Sequence, residues 1–586
     1  MTLRRLVVLA IAAWSVSPAA QTPVTRPASF SVVEATIPDM QRAMAQRRVT
    51  SRELVTQYLT RIALHEKRIN SAISINPRAL EDADARDAER ARGRVRGPLH
   101  GIPIALKDNI HTIDMITTGG ALAFANFLPP YDATLTKNLR DAGAVIIAKT
   151  VLTELANWVA GAPTPMPGNY TAVAGFAFNP YDPRPDPRQN TDGRPVLSTG
   201  GSSSGAGTAA NFWAANVGTD TAGSIVNPAM LTMLVGIRPT TGRISRYGIM
   251  PITADQDTAG PMARTVTDAA ILLGAIESAS PDPNDSATTR CAPPPGRDYT
   301  RFLKPDGLRG ARIGIPRAFY YDRLVTAGEP APPAPPAEGR GGRGGGGRGG
   351  LNEAQARLMA EAIDVLKRGG AIVVDPANMP SVLDPDPQKN PTLIPICSGT
   401  ENAKGKDAAC SVVLKYGMKR DFNAYLATLG AAAPVKSLTE LRTFNTEHAR
   451  ANAIRYGQSN LDISDEIDLV QDRARYDADR ARDIALAGDR GFKAAIDEHR
   501  LDALMFPGWN ISNLAARPGY PEIVVPLGVV PAGAGGGNPL PPGFDPKPSP
   551  YSAAFVGLAC SEPRLIEIAY AFEQATKRRV PPPMPK

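Results

Sequence analysis

The sequence predicts an α/β protein: a single large domain with a mixed, mostly parallel central sheet covered by helices on both faces. Short apolar segments with strand patterns alternate with longer segments of helical periodicity, which is the order typical of this class. Hydrophobic residues make up 43% of the 586 residues and charged residues 21%, a composition typical of a globular chain with a large core. We therefore expect one extended core rather than a string of small domains.

The first clear helix signal is a capping box. Thr50 and Glu53 occupy the two positions whose side chains cap a helix start, and apolar residues follow at helical spacing from Leu54 to Ile62. Four further segments have helical patterns, namely residues 78–93, 133–142, 352–368 and 564–576.

Six short apolar segments are predicted to be buried strands. The first, residues 101–107, ends in Lys107, and a lone lysine at a strand end is usually a solvated charge. The other five are residues 144–148, 311–315, 371–374, 504–506 and 522–527.

The N-terminal segment has the features of a secretory signal peptide, predicted at residues 1–20. Arg4 and Arg5 precede an apolar stretch too short to span a bilayer, and small residues follow at a cleavage-type position. We expect a flexible segment at residues 21–35, the folded domain at residues 36–580, and a periplasmic or secreted location.

Two tracts of low complexity interrupt the folded domain. Residues 328–350 are almost entirely Gly, Pro, Ala, Arg and Glu, and residues 531–549 are rich in Gly and Pro. Neither tract can bury a core, so both are predicted to be surface insertions.

The composition argues against several partners and cofactors. A net charge of +8 is spread over the chain and only 6% of residues are aromatic, so no nucleic-acid surface is expected. The five histidines have no metal-ligand spacing, and we expect no metal and no cofactor. No membrane contact is expected beyond the signal peptide, and the protein is expected to be a monomer or homodimer. Cys397 and Cys410 enclose a short polar loop and form either a disulfide or two buried thiols.

The densest chemical signal lies between residues 198 and 228, where two Gly/Ser turns bracket an Ala-rich segment of helical length. No Gly-Lys-Ser/Thr follows, so a Walker phosphate loop is excluded. Residues 201–205 match the GxSxG elbow of α/β-hydrolases, with Ser203 as nucleophile. That alternative needs a histidine, and His448 or His499 would have to supply it.

Three motifs in order resemble the amidase signature family, and most closely its broad-specificity members of peptide-amidase type. They are Gly-Ile-Pro-Ile-Ala-Leu-Lys-Asp-Asn at 101–109, Gly-Gly-Ser at 200–202 and Asp-Thr-Ala-Gly-Ser-Ile at 220–225. The similarity extends from about residue 36 almost to the C-terminus, so the domain at 36–580 is interpreted as an amidase domain.

The resemblance implies a catalytic triad of Lys107, Ser202 and Ser224, with a cis peptide bond between Gly201 and Ser202. It also implies an oxyanion hole formed by backbone N–H groups, those of Thr221, Ala222, Gly223 and Ser224. Where the family usually has Gly-Gly before the nucleophile, this chain has Ala222-Gly223, which is tolerable if Ala222 has negative φ. The interval between the two serines is about two residues short, which leaves Ser203 as the fallback for the first serine.

The chemistry follows from the residue types. An amide carbonyl is a poor electrophile, so it needs an activated nucleophile and donors for the oxyanion. Ser224 would attack, Ser202 would relay the proton, and Lys107 would have to be neutral to accept it. This requires a pKa about 3 units below the usual value near 10.4, a shift that burial can produce.

The substrate is expected to be a small-molecule amide. By resemblance, Thr118, Gly119 and Asn227 are predicted to line its pocket. Asn227 carries no positive charge, which disfavours a monoamide of a small diacid. Two other hypotheses remain open: a Ser-His-Asp esterase, and a binding protein that retains a catalytically dead amidase fold.

Overall fold

The computed structural model describes residues 30–188, 192–201, 204–324, 349–404, 407, 409–531 and 540–584. The predicted signal peptide, Ser202, Ser203, and large parts of the tracts at 328–350 and 531–549 lie outside these residues. The part of the predicted flexible segment that is described, residues 30–35, is packed against the domain. Val32 is buried there, and Glu34 forms an ion pair with Arg579 at 2.9 Å.

Within the described residues, a central sheet of eleven strands runs through the domain in the order β1-β3-β2-β6-β8-β7-β12-β13-β11-β9-β10, and β4 and β5 form a separate hairpin. The strands are β1 Ala72–Ile75, β2 Pro103–Lys107, β3 Val145–Thr150, β4 Tyr170–Thr171, β5 Gly175–Phe176, β6 Ala215–Asp220, β7 Val235–Arg238, β8 Thr258–Ala263, β9 Arg312–Gly314, β10 Ile372–Val374, β11 Ala503–Pro507, β12 Glu522–Val530 and β13 Ser549–Val556.

The sheet is mixed, as predicted, but it is mostly antiparallel rather than mostly parallel. Only β2–β3, β2–β6, β9–β10 and β9–β11 pair in parallel, and the other neighbours are antiparallel. Parallel neighbours need a long crossover connection, usually a helix. In the centre of the sheet β7 and β8 are joined by a loop and return antiparallel, and the consecutive strands β12 and β13 also pair antiparallel.

The helices surround this sheet. They are α1 Ile37–Ala45, α2 Ser51–Ile69, α3 Ala79–Ala91, α4 Thr134–Asp141, α5 Ser204–Ala209, α6 Val226–Leu231, α7 Val266–Ile276, α8 Glu353–Arg368, α9 Val413–Leu429, α10 Leu438–Glu447, α11 Ser459–Asp465, α12 Arg473–Asp483, α13 Ala494–His499, α14 Ser512–Ala516 and α15 Glu562–Thr576. A π-helix at Ile484–Lys493 joins α12 to α13. In the described part of the chain no helix is long and apolar enough to span a bilayer.

The predicted helices and strands all occur, with ends shifted by a few residues at most except at α2 and β12, which extend further. The capping box at α2 is confirmed, because the Thr50 hydroxyl accepts from Glu53 N and the Glu53 carboxylate accepts from Thr50 N. The Ala-rich segment after residue 205 is not one helix but the short α5 followed by β6, whose six residues are all buried.

Two hydrophobic cores share the domain. The larger core packs the sheet against helices such as α2, α7, α8 and α15. The smaller core lies among α9–α12 and the loops around residues 121–176. Cys397 and Cys410 form a disulfide, which decides between the two alternatives that the sequence left open, and a second disulfide, not predicted, joins Cys291 to Cys560.

Candidate active site

The first site residue, Lys107, ends β2 beside the end of β6. These strands are parallel neighbours, so their carboxyl ends meet at one edge of the sheet. Lys107 is completely buried, and its Nζ donates to the Thr219 carbonyl at 3.1 Å. Among the described residues no carboxylate oxygen lies within 4.0 Å of that nitrogen. Burial lowers the pKa of Lys107 to about 8, although the charges of Asp220 and Asp257 oppose the shift.

The segment that follows β6, residues 220–225, forms a tight turn held by its own first side chain. The Asp220 carboxylate accepts from Gly223 N and from Ile225 N, each at 2.7 Å, and contacts Arg238 Nε at 3.2 Å. Gly223 has φ +116°, and a Cβ on it would lie 2.9 Å from the Trp509 ring. The 220–225 turn therefore requires glycine at position 223 for both conformation and space.

Ser224 lies at the end of this turn, immediately before α6, and is 9% exposed. In the described part of the chain, the N–H groups of Thr221, Ala222 and Ser224 make no hydrogen bond, whereas Gly223 N is engaged by Asp220. The predicted set of four oxyanion donors is thereby reduced to three. Ala222 is not among the residues with positive φ, which meets the condition for alanine there.

The other predicted serine, Ser202, and the fallback Ser203 lie outside the described residues, as does the Gly201–Ser202 peptide bond. Their neighbour Gly200 is described. It has φ +83°, and a Cβ on it would lie 2.9 Å from Pro228 N. Gly200 therefore packs directly on α6, the helix that follows Ser224.

The two histidines of the esterase hypothesis lie on the surface of helical segments. His448 is exposed at the end of α10, where its ring stacks on Phe444. His499 ends α13, with 28% of its side chain exposed and its Nε2 4.0 Å from a Glu498 oxygen.

The predicted pocket residues Thr118 and Gly119 belong to a loop anchored by Asp108. The Asp108 carboxylate accepts from Thr118 N at 2.8 Å and from the Thr118 hydroxyl, and its main-chain oxygen accepts from Gly119 N at 2.9 Å. Lys149 Nζ lies 3.4 Å from Asp108 Oδ1. The third pocket residue, Asn227, is in the first turn of α6, and its buried Oδ1 has no hydrogen-bond partner in the described structure.

The segment Leu155–Asn157 contacts the same loop and was missed by the sequence analysis. All three residues have positive φ, and Leu155 N donates to Gly119 O at 2.8 Å. Three consecutive left-handed non-glycine residues are strained, and such strain is concentrated at functional sites. The residue types carried no signal for it, because none of the three is a glycine.

A cavity of about 300 Å³ adjoins the 220–225 turn. Asn109, Thr219 and Thr221 form its wall at the strand ends, and Met250 and Asp257 come from the loops around them. Lys107, Ser224 and the three predicted pocket residues are not among the described residues that line it. Within the described residues no group of three or more His, Cys, Asp or Glu is arranged to hold a metal ion.

Two carboxylates at the site also escaped the sequence analysis. Asp220 was noted only as part of a motif, and its position four residues before the serine could have suggested its role in fixing the turn. Asp257, just before β8, had no such signal, because it reaches the turn only through the antiparallel pairing of β6 and β8.

A family profile, curated relatives and solved structures all identify the same family for this chain. The profile of the family described as Amidase matches residues 53–328. A probable amidase of Arabidopsis thaliana is 32% identical over 559 residues, which cover 94% of this chain and 92% of the relative. The structure of peptide amidase from Stenotrophomonas maltophilia aligns with a TM-score of 0.75 and 35% identity, over 94% of this chain and 98% of that chain. An amidase family protein from Bacillus anthracis aligns with a TM-score of 0.74 and 30% identity, over 94% and 93%. This chain therefore belongs to the amidase signature family and is an amide hydrolase.

Proposed function

We propose that this protein is an exported amidase that hydrolyses carboxylic amide bonds with Ser224 as nucleophile, Ser202 as proton relay and Lys107 as base. The observation that carries the proposal is the state of Lys107. Its amine is buried, is bonded to a carbonyl rather than to a carboxylate, and has a pKa lowered to about 8. A lysine in that environment is partly neutral at pH 7 to 8 and can accept a proton.

The reaction would proceed in two balanced halves. Ser224 Oγ attacks the amide carbon while its proton passes to Ser202, and the Ser202 proton passes to the neutral Lys107 amine. The N–H groups of Thr221, Ala222 and Ser224, which have no hydrogen-bond partner among the described residues, would stabilise the oxyanion. The C–N bond breaks, and the leaving nitrogen takes back the proton through Ser202. Water then attacks the acyl-enzyme and is deprotonated by the same relay, which releases the carboxylic acid.

The substrate class is proposed to be amides with an uncharged acyl group, including the terminal amides of short peptides. Similarity to the peptide amidase over 94% of the chain supports this class. The neutral Asn227 offers no charge to bind a second carboxylate. Export is proposed from the basic and apolar N-terminal segment and is supported by two disulfides, which persist in oxidising compartments.

A substrate panel and covalent labelling would test the proposal. We expect hydrolysis of an amidated dipeptide to exceed that of malonamate, and Ser224→Ala should lower kcat by several orders of magnitude without loss of folding. A fluorophosphonate should add to Ser224, as located by peptide mass spectrometry. An adduct on Ser203 would support the esterase hypothesis, and the absence of any adduct would support a dead amidase fold.

A further inference from the structure

We propose that Asp257 is a positioning residue for hydrolysis: by holding the Thr221 hydroxyl, it fixes the half of the 220–225 turn that presents the Thr221 and Ala222 N–H groups. This inference rests on the proposed function. Asp257 Oδ1 accepts from Thr221 Oγ1 at 2.5 Å, and Oδ2 accepts from Ile252 N at 2.8 Å and from Thr253 N at 2.9 Å. A single carboxylate thereby ties the turn to the loop that precedes β8.

The two halves of the turn have separate anchors. Asp220 holds the second half through Gly223 N and Ile225 N, but it makes no hydrogen bond to Thr221 or Ala222. In the described part of the chain, the Thr221 side chain makes its one hydrogen bond to Asp257. The orientation of the Thr221 and Ala222 N–H groups therefore depends on this contact, because no other hydrogen bond among the described residues holds the Thr221 side chain.

The location of Asp257 favours a role beyond packing. Thr221 and Asp257 both line the cavity of about 300 Å³. On that side, therefore, closely packed side chains do not hold the turn in place. A loop segment next to open space is free to shift unless a directed bond restrains it. A shift of about 1 Å at such a position is enough to cost a catalyst roughly 100-fold in rate.

The charge of Asp257 also acts on the proposed base. The ionisable groups that face it are Lys107 on β2, Asp421 on α9 and Arg246 with its partner Asp285, and Tyr131, Tyr247 and Tyr425 line the same cavity. Burial raises the pKa of Asp257 to about 7, while the Thr221 hydrogen bond and Arg246 lower it and Asp421 raises it. Ionised Asp257 raises the pKa of Lys107, so the two groups titrate as a coupled pair.

Three variants separate positioning from charge: Thr221→Val, Thr221→Ser and Asp257→Asn. Thr221→Val removes the hydroxyl but keeps the carboxylate. We expect it to lower kcat 10- to 100-fold with KM within threefold, and to shift the midpoint of the kcat/KM pH profile less than Asp257→Asn does. Thr221→Ser retains the hydroxyl and should recover most of the activity. Asp257→Asn removes the charge and should shift that midpoint to lower pH as well as lower kcat.

The measurements are steady-state kinetics from pH 6 to 10 on an amide substrate, with melting curves for each variant. Thr221→Val with a lowered melting temperature but kcat within twofold of wild type would overturn the inference, since the bond would then be only structural. An unmoved midpoint in folded Asp257→Asn would also count against it. Failure of the proposed function looks different, because Ser224→Ala would then retain activity.

Discussion

Two buried lysines lie on neighbouring strands, offset by one residue, and they differ in the partners of their amines. Lys107 on β2 and Lys149 on β3 are both completely buried, and β2 and β3 pair in parallel with Leu106 opposite Lys149. Lys149 Nζ lies 3.4 Å from Asp108 Oδ1 and donates to Thr117 Oγ1 at 2.6 Å. Lys107 Nζ donates to a carbonyl oxygen and has no carboxylate within 4.0 Å among the described residues.

This difference separates a structural cation from the proposed base. Burial lowers the pKa of both lysines. At Lys149 an adjacent carboxylate favours the charged form, and the pair secures the loop that carries Thr118 and Gly119. At Lys107 the nearby charges of Asp220 and Asp257 act from beyond contact distance, so the amine can lose its proton near pH 8. The residue type is the same, and only the partner decides the role.

The largest expected effect comes from replacing Lys107. Lys107→Met should lower kcat for amides by about 10⁴-fold or more, because the proton acceptor is gone, while the fold is as stable as wild type or more stable at pH 7. Lys107→Arg should also be inactive, since arginine stays charged. Steady-state kinetics with chemical denaturation would check this. Amide hydrolysis by Lys107→Met within tenfold of wild type would exclude the Ser-Ser-Lys mechanism.

The matched substitution at Lys149 should affect stability instead. Lys149→Met leaves Asp108 buried without its cation, which should lower the free energy of unfolding by about 3 kcal/mol. Activity per folded molecule should fall far less than in Lys107→Met. Adding Asp108→Asn should recover about 1 kcal/mol, because the unpaired charge is removed. If Lys149→Met proved as inactive as Lys107→Met while remaining stably folded, the contrast between the two lysines would not hold.

The smallest expected effect is the dependence of kcat/KM on pH, which tests the same contrast between Lys107 and Lys149. We expect kcat/KM to rise with pH through an apparent pKa near 8 and then level off. The folded-state pKa of Lys107 is below its unfolded value of 10.5, so the folded protein binds fewer protons between these values. The destabilisation is therefore fully present below pH 8 and disappears as pH rises to 10.5.

Comparing wild type with Lys107→Met isolates this contribution to stability. The advantage of the variant in free energy of unfolding should shrink by about 3 kcal/mol between pH 8 and 10.5. Denaturation curves at several pH values would measure it. A constant difference over that range would mean that Lys107 titrates normally in the folded protein.

The fold could be predicted from sequence wherever local patterns were strong. Strands such as β2 and β3 are continuous apolar segments, and α2 has both a capping box and an apolar face. In contrast, β6 reads Ala-Asn-Val-Gly-Thr-Asp and has no apolar pattern. It is a strand because β2 and β8 pair with both of its edges, and those partners come from distant parts of the chain. The helices α9–α12, whose bounds were not predicted, pack together into the second core.

By itself the sequence determined the fold class, the positions of the strands and helices with strong local patterns, and the candidate residues Lys107 and Ser224, because motifs and periodicity are local. The tertiary structure decided what surrounds those residues: the carbonyl partner of Lys107, the engagement of Gly223 N by Asp220, the contact of Asp257 with Thr221, and the antiparallel centre of the sheet. Each of these depends on which distant segments meet at one edge of the sheet. The segments that meet there determine which charges are buried and which are paired. Burial and pairing, rather than residue type, determine which lysine can act as the proposed base.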